Sequence, residues 1–291
     1  MSGRKAVVFI CGQSNAHAHG QFLPEEQRIL KPMTNVFSLD RDPNQSYDLK
    51  KVVWSGFTTA GKNLGESQDH TCSLGYYLAK LWQSAIDGGA ALPDLYIVQI
   101  SVGSQGIING MWNRDREKVL IPGPLGTVNI ALFPLAQHIF KLVMEDLGEP
   151  EVLGFHWLGS EQEIWHEAYK APDIQERYDH FFDTLLAAIG APCPVYFYET
   201  YFKLCCRRFG IPEEAGDGVN AALYRQRERL NANLVRAKES PFWDEAAQGY
   251  GILPRITVIT LPRCSSGLHS SFLRGLHDAD LKEICSEGRK Q

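Results

Sequence analysis

The stretch KAVVFICGQSNAHAHG, residues 5–20, decides the reading of this chain. Its first part is a buried-type strand: Ala6, Val7, Val8, Phe9 and Ile10 are apolar without alternation, as in a strand covered on both faces. The run then stops at Gly12-Gln13-Ser14-Asn15, with His17 and His19 close behind. Folding alone does not call for a Gln, a Ser and an Asn in the first bend after a hydrophobic strand. Such a bend is either an ordinary polar turn, with Ser14 capping the helix that follows, or a place where one hydroxyl is presented for chemistry.

Four further runs have the same continuous apolar character, at residues 95–101, 152–158, 195–199 and 256–261, with a shorter one at 35–39. Helical patterns lie between them at 73–86, 131–147, 174–189 and 219–237. Alternating strands and helices predict an α/β chain: a three-layer α/β/α sandwich around a mainly parallel sheet. The segments 40–71 and 108–129 are long and rich in Gly, Pro, Asn and Asp, and loops of that length in a compact fold often carry function. No repeat, low-complexity tract or linker interrupts the 291 residues, so one domain, 1–291, is expected.

Bulk properties narrow the function classes. A formal net charge of −5 without a Lys/Arg cluster gives no footing for nucleic acid. No stretch approaches the roughly 20 apolar residues of a membrane span. The apolar run near the N-terminus is shorter than a signal-peptide core, so a cytoplasmic or virion-associated protein is expected. The seven cysteines are sparse and form no C-x-x-C pair, which suggests neither a disulfide framework nor a zinc site. No metal and no cofactor is expected.

In a parallel sheet, ligands gather outside the carboxyl ends of the strands. Four polar clusters fall at such ends: GQSN at 12–15, SVGSQGI at 101–107, HWLGSEQE at 156–163, and SSGLHSSFLRGLHDADLKEI at 265–284. Together they hold what a serine nucleophile needs, namely a base for its proton and donors for an oxyanion. In this order and content they resemble the SGNH hydrolases, and more closely the sialate O-acetylesterase and carbohydrate-esterase branch, whose first block is Gly-Gln-Ser-Asn. The resemblance spans Lys5 to Ile284. It implies an SGNH-type, flavodoxin-like sandwich acting as a serine esterase that removes O-acetyl groups from a carbohydrate.

Carried over position by position, the resemblance makes Ser14 the nucleophile. The amides of Ser14 and Gly103, with the Asn15 side chain, become the oxyanion donors. The third block of the family, Trp-x-Gln-Gly-Glu-Ser-Asp, matches Trp157, Glu161 and Glu163, with Gly159 in the Gln place and Ser160 in the Gly place. The base falls on His277 or His269; His277 is preferred because DADLKEI behind it starts like a helix. Neither has the family's Asp three residues earlier: Arg274 and Ser266 stand there. Glu161, Glu163 or a backbone carbonyl is left to orient the imidazole.

Gln13, Gln105, Trp112 and Trp157 are the candidates for touching substrate, although Trp112 also reads as pocket wall or core. His156 reads first as a satisfied core histidine, and Cys205 and Cys206 as structural. The expected partner is an acetylated carbohydrate, with self-association or a larger assembly left open. The departures in the third block keep a second expectation alive: a catalytically degenerate glycan-binding or structural module of an assembly such as a phage virion. A lipase or thioesterase on the same fold is disfavoured by the GQSN block.

Overall fold

The computed structural model describes residues 3–13, 16, 23–40, 51–60, 70, 73–102, 105–115, 119–123, 126–165, 167–198, 211–235, 243–244 and 249–250. Among them a seven-stranded sheet is built from β1 (Lys5–Gly12), β2 (Val36–Leu39), β3 (Trp54–Gly56), β4 (Asp94–Ser101), β7 (Glu151–Leu158), β8 (Val195–Tyr198) and β9 (Asn233–Val235). A separate antiparallel hairpin is made by β5 (Val119–Gly123) and β6 (Gly126–Ile130). The spatial order is β3-β2-β4-β1-β7-β8-β9, parallel throughout except for the antiparallel edge strand β3.

β1 shows why its residues form a central strand. Val7, Phe9 and Cys11 join one hydrophobic cluster, whereas Ala6, Val8 and Ile10 join the other. Each side chain leaves water on its own face of the pleat, and none of the six is more than 2% exposed. The first cluster is closed by helices α2 (Leu132–Leu147), α4 (Ile174–Ile189) and α5 (Glu213–Leu230), through residues such as Phe140, Phe182 and Leu223. The second is closed by α1 (Leu74–Asp87), through Leu74, Ala79 and Trp82. Helices thus cover both faces, and the chain is a three-layer α/β/α sandwich. A fully buried Phe or Leu contributes about 1.5–3 kcal/mol, so these two clusters are the main source of stability.

The elements follow the expected positions with local exceptions. The helix expected at 219–237 starts earlier, at Glu213, and ends at Leu230, where Asn231 turns left-handed (φ 48°) and accommodates the reversal into β9. The segments read as long loops contain β3 and the β5–β6 hairpin, whose Pro122 and Gly123 disguise the strand character. The strand expected at 256–261 lies outside the described residues. No helix among the described residues is long and apolar enough to cross a membrane.

Candidate functional site

The chain leaves β1 for β2 and β4 on one side of it, then crosses to β7, β8 and β9 on the other. The crevice where strand order reverses is therefore at the carboxyl end of β1, between β4 and β7, the place where open α/β sheets bind ligands. The register is level there: Gly12 pairs with Ser101 on one side and with Leu158 on the other. Gly12 is required at this point. A Cβ on it would overlap the carbonyl of Leu158, and its φ of 153° suits glycine best. Gln13 N donates to Leu158 O at 3.0 Å, Ala16 N to Gln13 O at 2.9 Å, and Gln99 Nε2 to Ala16 O at 3.0 Å. The chain is thus anchored immediately before and after Ser14 and Asn15, which themselves lie outside the described residues.

Beyond β7 the third block forms a short helix, α3 (Glu161–Trp165). Its two acids stand at i and i+2, roughly 200° apart around a helix, so they point in different directions. Glu161, 8% exposed, accepts a short hydrogen bond on Oε2 from the side-chain amide of Gln13, itself 3% exposed. Glu163, fully buried, reaches the segment after β4: its Oε1 accepts from Ile107 N at 2.5 Å and from Ile108 N at 3.1 Å. Burial pushes the Glu163 carboxyl above its usual pKa range, with these amides pulling the other way. The two carboxylates named as alternatives for one role therefore serve two different segments.

The turn between β7 and α3 is packed around the side chains at its two ends. Ser160, in the Gly place, has φ 96°, a conformation that glycine adopts freely and other residues at a cost. Its hydroxyl oxygen is committed: Trp157 Nε1 donates to it at 3.2 Å and Tyr178 OH at 3.1 Å. Gly159 stands in the Gln place, and a Cβ there would come 2.8 Å from Trp157 Cζ2. The indole occupies the space a side chain would need, so this site has no amide donor from that position.

The segment 105–113 is braced from several sides. Gln105 Oε1 accepts from Met111 N at 3.0 Å, Asn113 Nδ2 donates to Ile108 O, and Trp112 Nε1 donates to Gly12 O at 3.0 Å. Trp112 and Trp157 were candidates for touching substrate, with pocket wall or core as the other reading of Trp112. Both are fully buried, in edge-to-face contact with ring centroids 5.6 Å apart and Phe181 against each. They form the floor under the strand ends and offer no exposed face for stacking on a sugar. Gln105 is half-buried and spends its carbonyl on the segment's own backbone.

His156 is a core residue: its Nδ1 lies 2.9 Å from Tyr198 OH, and its ring stacks on Tyr196 with centroids 4.5 Å apart. Burial lowers its pKa to about 3, so it stays neutral. Gly103, His17, His19, His166, Cys205, Cys206, His269 and His277 lie outside the described residues, as do Ser14 and Asn15. The described part of the site is therefore Gln13, Glu161 and Glu163, with Gln105 at its edge. The sequence held one unused signal for α3. Ser160-x-x-Glu163 is a capping-box spacing and marks a helix start, although here both side chains are spent on other partners.

No protein-family model matches the sequence, and no curated protein matches it either. Solved structures do. The protein is similar to NanS, with a TM-score of 0.54 at 13% identity over 99% of both chains. It is similar to a protein from Arabidopsis thaliana, with a TM-score of 0.51 at 15% identity over 93% of this chain and 98% of that one. A carbohydrate acetylesterase from Xanthomonas citri, 14% identical over 79% of this chain and 49% of that one, gives a TM-score of 0.46, short of a shared overall fold. At these identities the likeness to the first two is one of fold. This chain shares its α/β/α fold with NanS and the Arabidopsis protein.

Proposed function

We propose that the protein is a serine esterase that removes O-acetyl groups from a carbohydrate. The observation that carries this reading is the Gln13–Glu161 pair at the strand-order reversal. The side chain immediately before Ser14 is buried and tied to an acid from the third block, at the level where β1, β4 and β7 end together. A turn that only capped a helix would not need a buried carboxylate to orient its neighbour. The order of the polar blocks and the Gly-Gln-Ser-Asn sequence favour the acetyl-carbohydrate branch.

In this reading Ser14 Oγ attacks the acetyl carbonyl carbon while its proton passes to the imidazole of His277. The amides of Ser14 and Gly103, with the Asn15 side chain, hold the oxyanion. Collapse of the tetrahedral intermediate expels the sugar oxygen, which takes the proton back from the imidazolium, and an acetyl-enzyme remains. Water deprotonated by the imidazole then releases acetate and restores Ser14. Of the two acids, Glu161 is bonded to Gln13, the residue before Ser14, and is the one assigned to this centre; Oε1 of Glu163 is taken by Ile107 and Ile108.

The test is Ser14→Ala assayed on p-nitrophenyl acetate and on acetylated sugars. Turnover in the parent and its loss in a folded variant support the reading; undiminished turnover in the variant refutes it. One observation favours a second reading, a catalytically degenerate glycan-binding module: Gly159 removes an amide donor and Trp157 fills the space behind it. Sugar binding by the parent protein without turnover of any acetyl ester would establish that reading instead.

A further inference from the structure

Glu163 presents a problem that the esterase reading leaves unsolved. It is fully buried, and a carboxylate is a costly group to bury. One oxygen takes both available hydrogen bonds, from Ile107 N and Ile108 N. The other, Oε2, is buried with no hydrogen-bond partner among the described residues. The neighbouring chain is shaped around this acid: a Cβ on Gly106 would overlap Glu163 Oε1, and Gly106 is what lets the carboxylate reach the two amides. Bracing a loop for stability alone could be done by an apolar side chain without that desolvation cost.

What the loop connects gives the acid a purpose. The segment 105–113 begins two residues after Gly103, the expected oxyanion donor beyond β4. At its other end Trp112 Nε1 is bonded to Gly12 O, the last residue of β1. Glu163 therefore holds the middle of a strap that follows β4, whose last residue Ser101 pairs with Gly12, and that is bonded back to Gly12 O through Trp112. We infer that Glu163 is a positioning residue: by fixing the amides of Ile107 and Ile108 it sets the strap at 105–113, and through it the oxyanion side of the site. This inference rests on the esterase reading. It differs from a triad role, in which the acid would orient the imidazole: the bonds of Glu163 Oε1 are to backbone amides.

The experiment compares the parent, Glu163→Ala, Glu163→Gln, Gly106→Ala and Ser14→Ala on p-nitrophenyl acetate. Near-ultraviolet circular dichroism and urea unfolding establish the folded fraction of each. Glu163→Ala is expected to lower kcat about 100-fold, the scale of a misplaced oxyanion donor, with KM changed less than about threefold. Glu163→Gln keeps a carbonyl that accepts from both amides and is expected to recover kcat to within about tenfold of the parent. Gly106→Ala pushes on the carboxylate from the other side and, should Glu163→Ala not fold, is expected to show the same loss of kcat.

The inference is overturned if folded Glu163→Ala keeps kcat within threefold. It is also overturned if activity tracks the folded fraction alone, or if Glu163→Gln is as impaired as Glu163→Ala. An inactive parent, or an active Ser14→Ala, overturns the esterase reading and this inference with it. An active parent, an inactive Ser14→Ala and an unaffected Glu163→Ala overturn this inference alone.

Discussion

Replacing Gln13 and Glu161 singly and together measures how strongly the first and third blocks are joined. The amide of Gln13 donates to Glu161 Oε2 with both side chains under 10% exposed: 3% and 8%. A hydrogen bond to a charged group contributes about 1.5–3 kcal/mol net. Gln13→Ala takes this donor from the buried carboxylate, and Glu161→Ala takes the acceptor from the buried amide, so each single change also carries a desolvation cost of about 1–3 kcal/mol. The double variant has neither group to strand. Its loss should fall short of the sum of the singles by a coupling energy of about 1.5–3 kcal/mol. Urea unfolding reads this directly. With a slope of roughly 3 kcal/mol per molar, the double variant's midpoint should lie about 0.5–1 M above the additive value. A coupling under about 0.5 kcal/mol would refute the reasoning, because it would mean that the two side chains do not depend on each other.

Two more outcomes follow from buried groups near the same strand ends. Ser160→Ala leaves the Trp157 and Tyr178 donors without their oxygen and keeps a Cβ on a backbone at φ 96°, so a loss of about 2–4 kcal/mol is expected. Ser160→Gly loses the same bonds but relieves the backbone. It should be about 1 kcal/mol more stable than Ser160→Ala in urea, and equal stabilities would contradict the assigned strain. For His156 the folded pKa of about 3 lies below the unfolded value near 6.5, so the unfolded chain binds the proton first. Its contribution is complete above about pH 6.5 and is lost as pH falls toward 3. Between pH 6.5 and 5 the parent should lose about 2 kcal/mol more than His156→Phe, and parallel pH profiles would show that the imidazole is not held neutral.

The parts of the fold that could be read from the sequence are those where burial leaves no choice. β1, β4, β7 and β8 are covered on both faces, so continuous Val, Ile, Leu, Phe and Tyr betray them. β3 and β9 are three residues each, too short for a period to register, and β9 gains its place only by pairing with β8. The β5–β6 hairpin hid behind Pro122, Gly123 and Gly126, which read as loop.

The site was legible in its chemistry and only partly in its geometry. Glu161 and Glu163 stand out as acids at a strand end, but nothing in their order says that a helix begins at Glu161 and turns them apart. Trp157 and Trp112 carry polar handles suited to a pocket. Their burial depends on Phe181, which arrives from α4 and cannot be placed by local pattern. The acid with the least obvious partner, Glu163, found it in backbone amides more than fifty residues upstream, and no side-chain motif records such a contact.

The central claim is that the serine two residues beyond the end of β1 forms a covalent intermediate, and covalent labelling tests it most directly. The protein is treated with a fluorophosphonate, digested, and the modified peptide sequenced by mass spectrometry. A single adduct on Ser14, absent when an acetylated sugar substrate is present in excess, is the predicted result. An unlabelled Ser14, or an adduct on another residue in a protein that still hydrolyses acetyl esters, would contradict it.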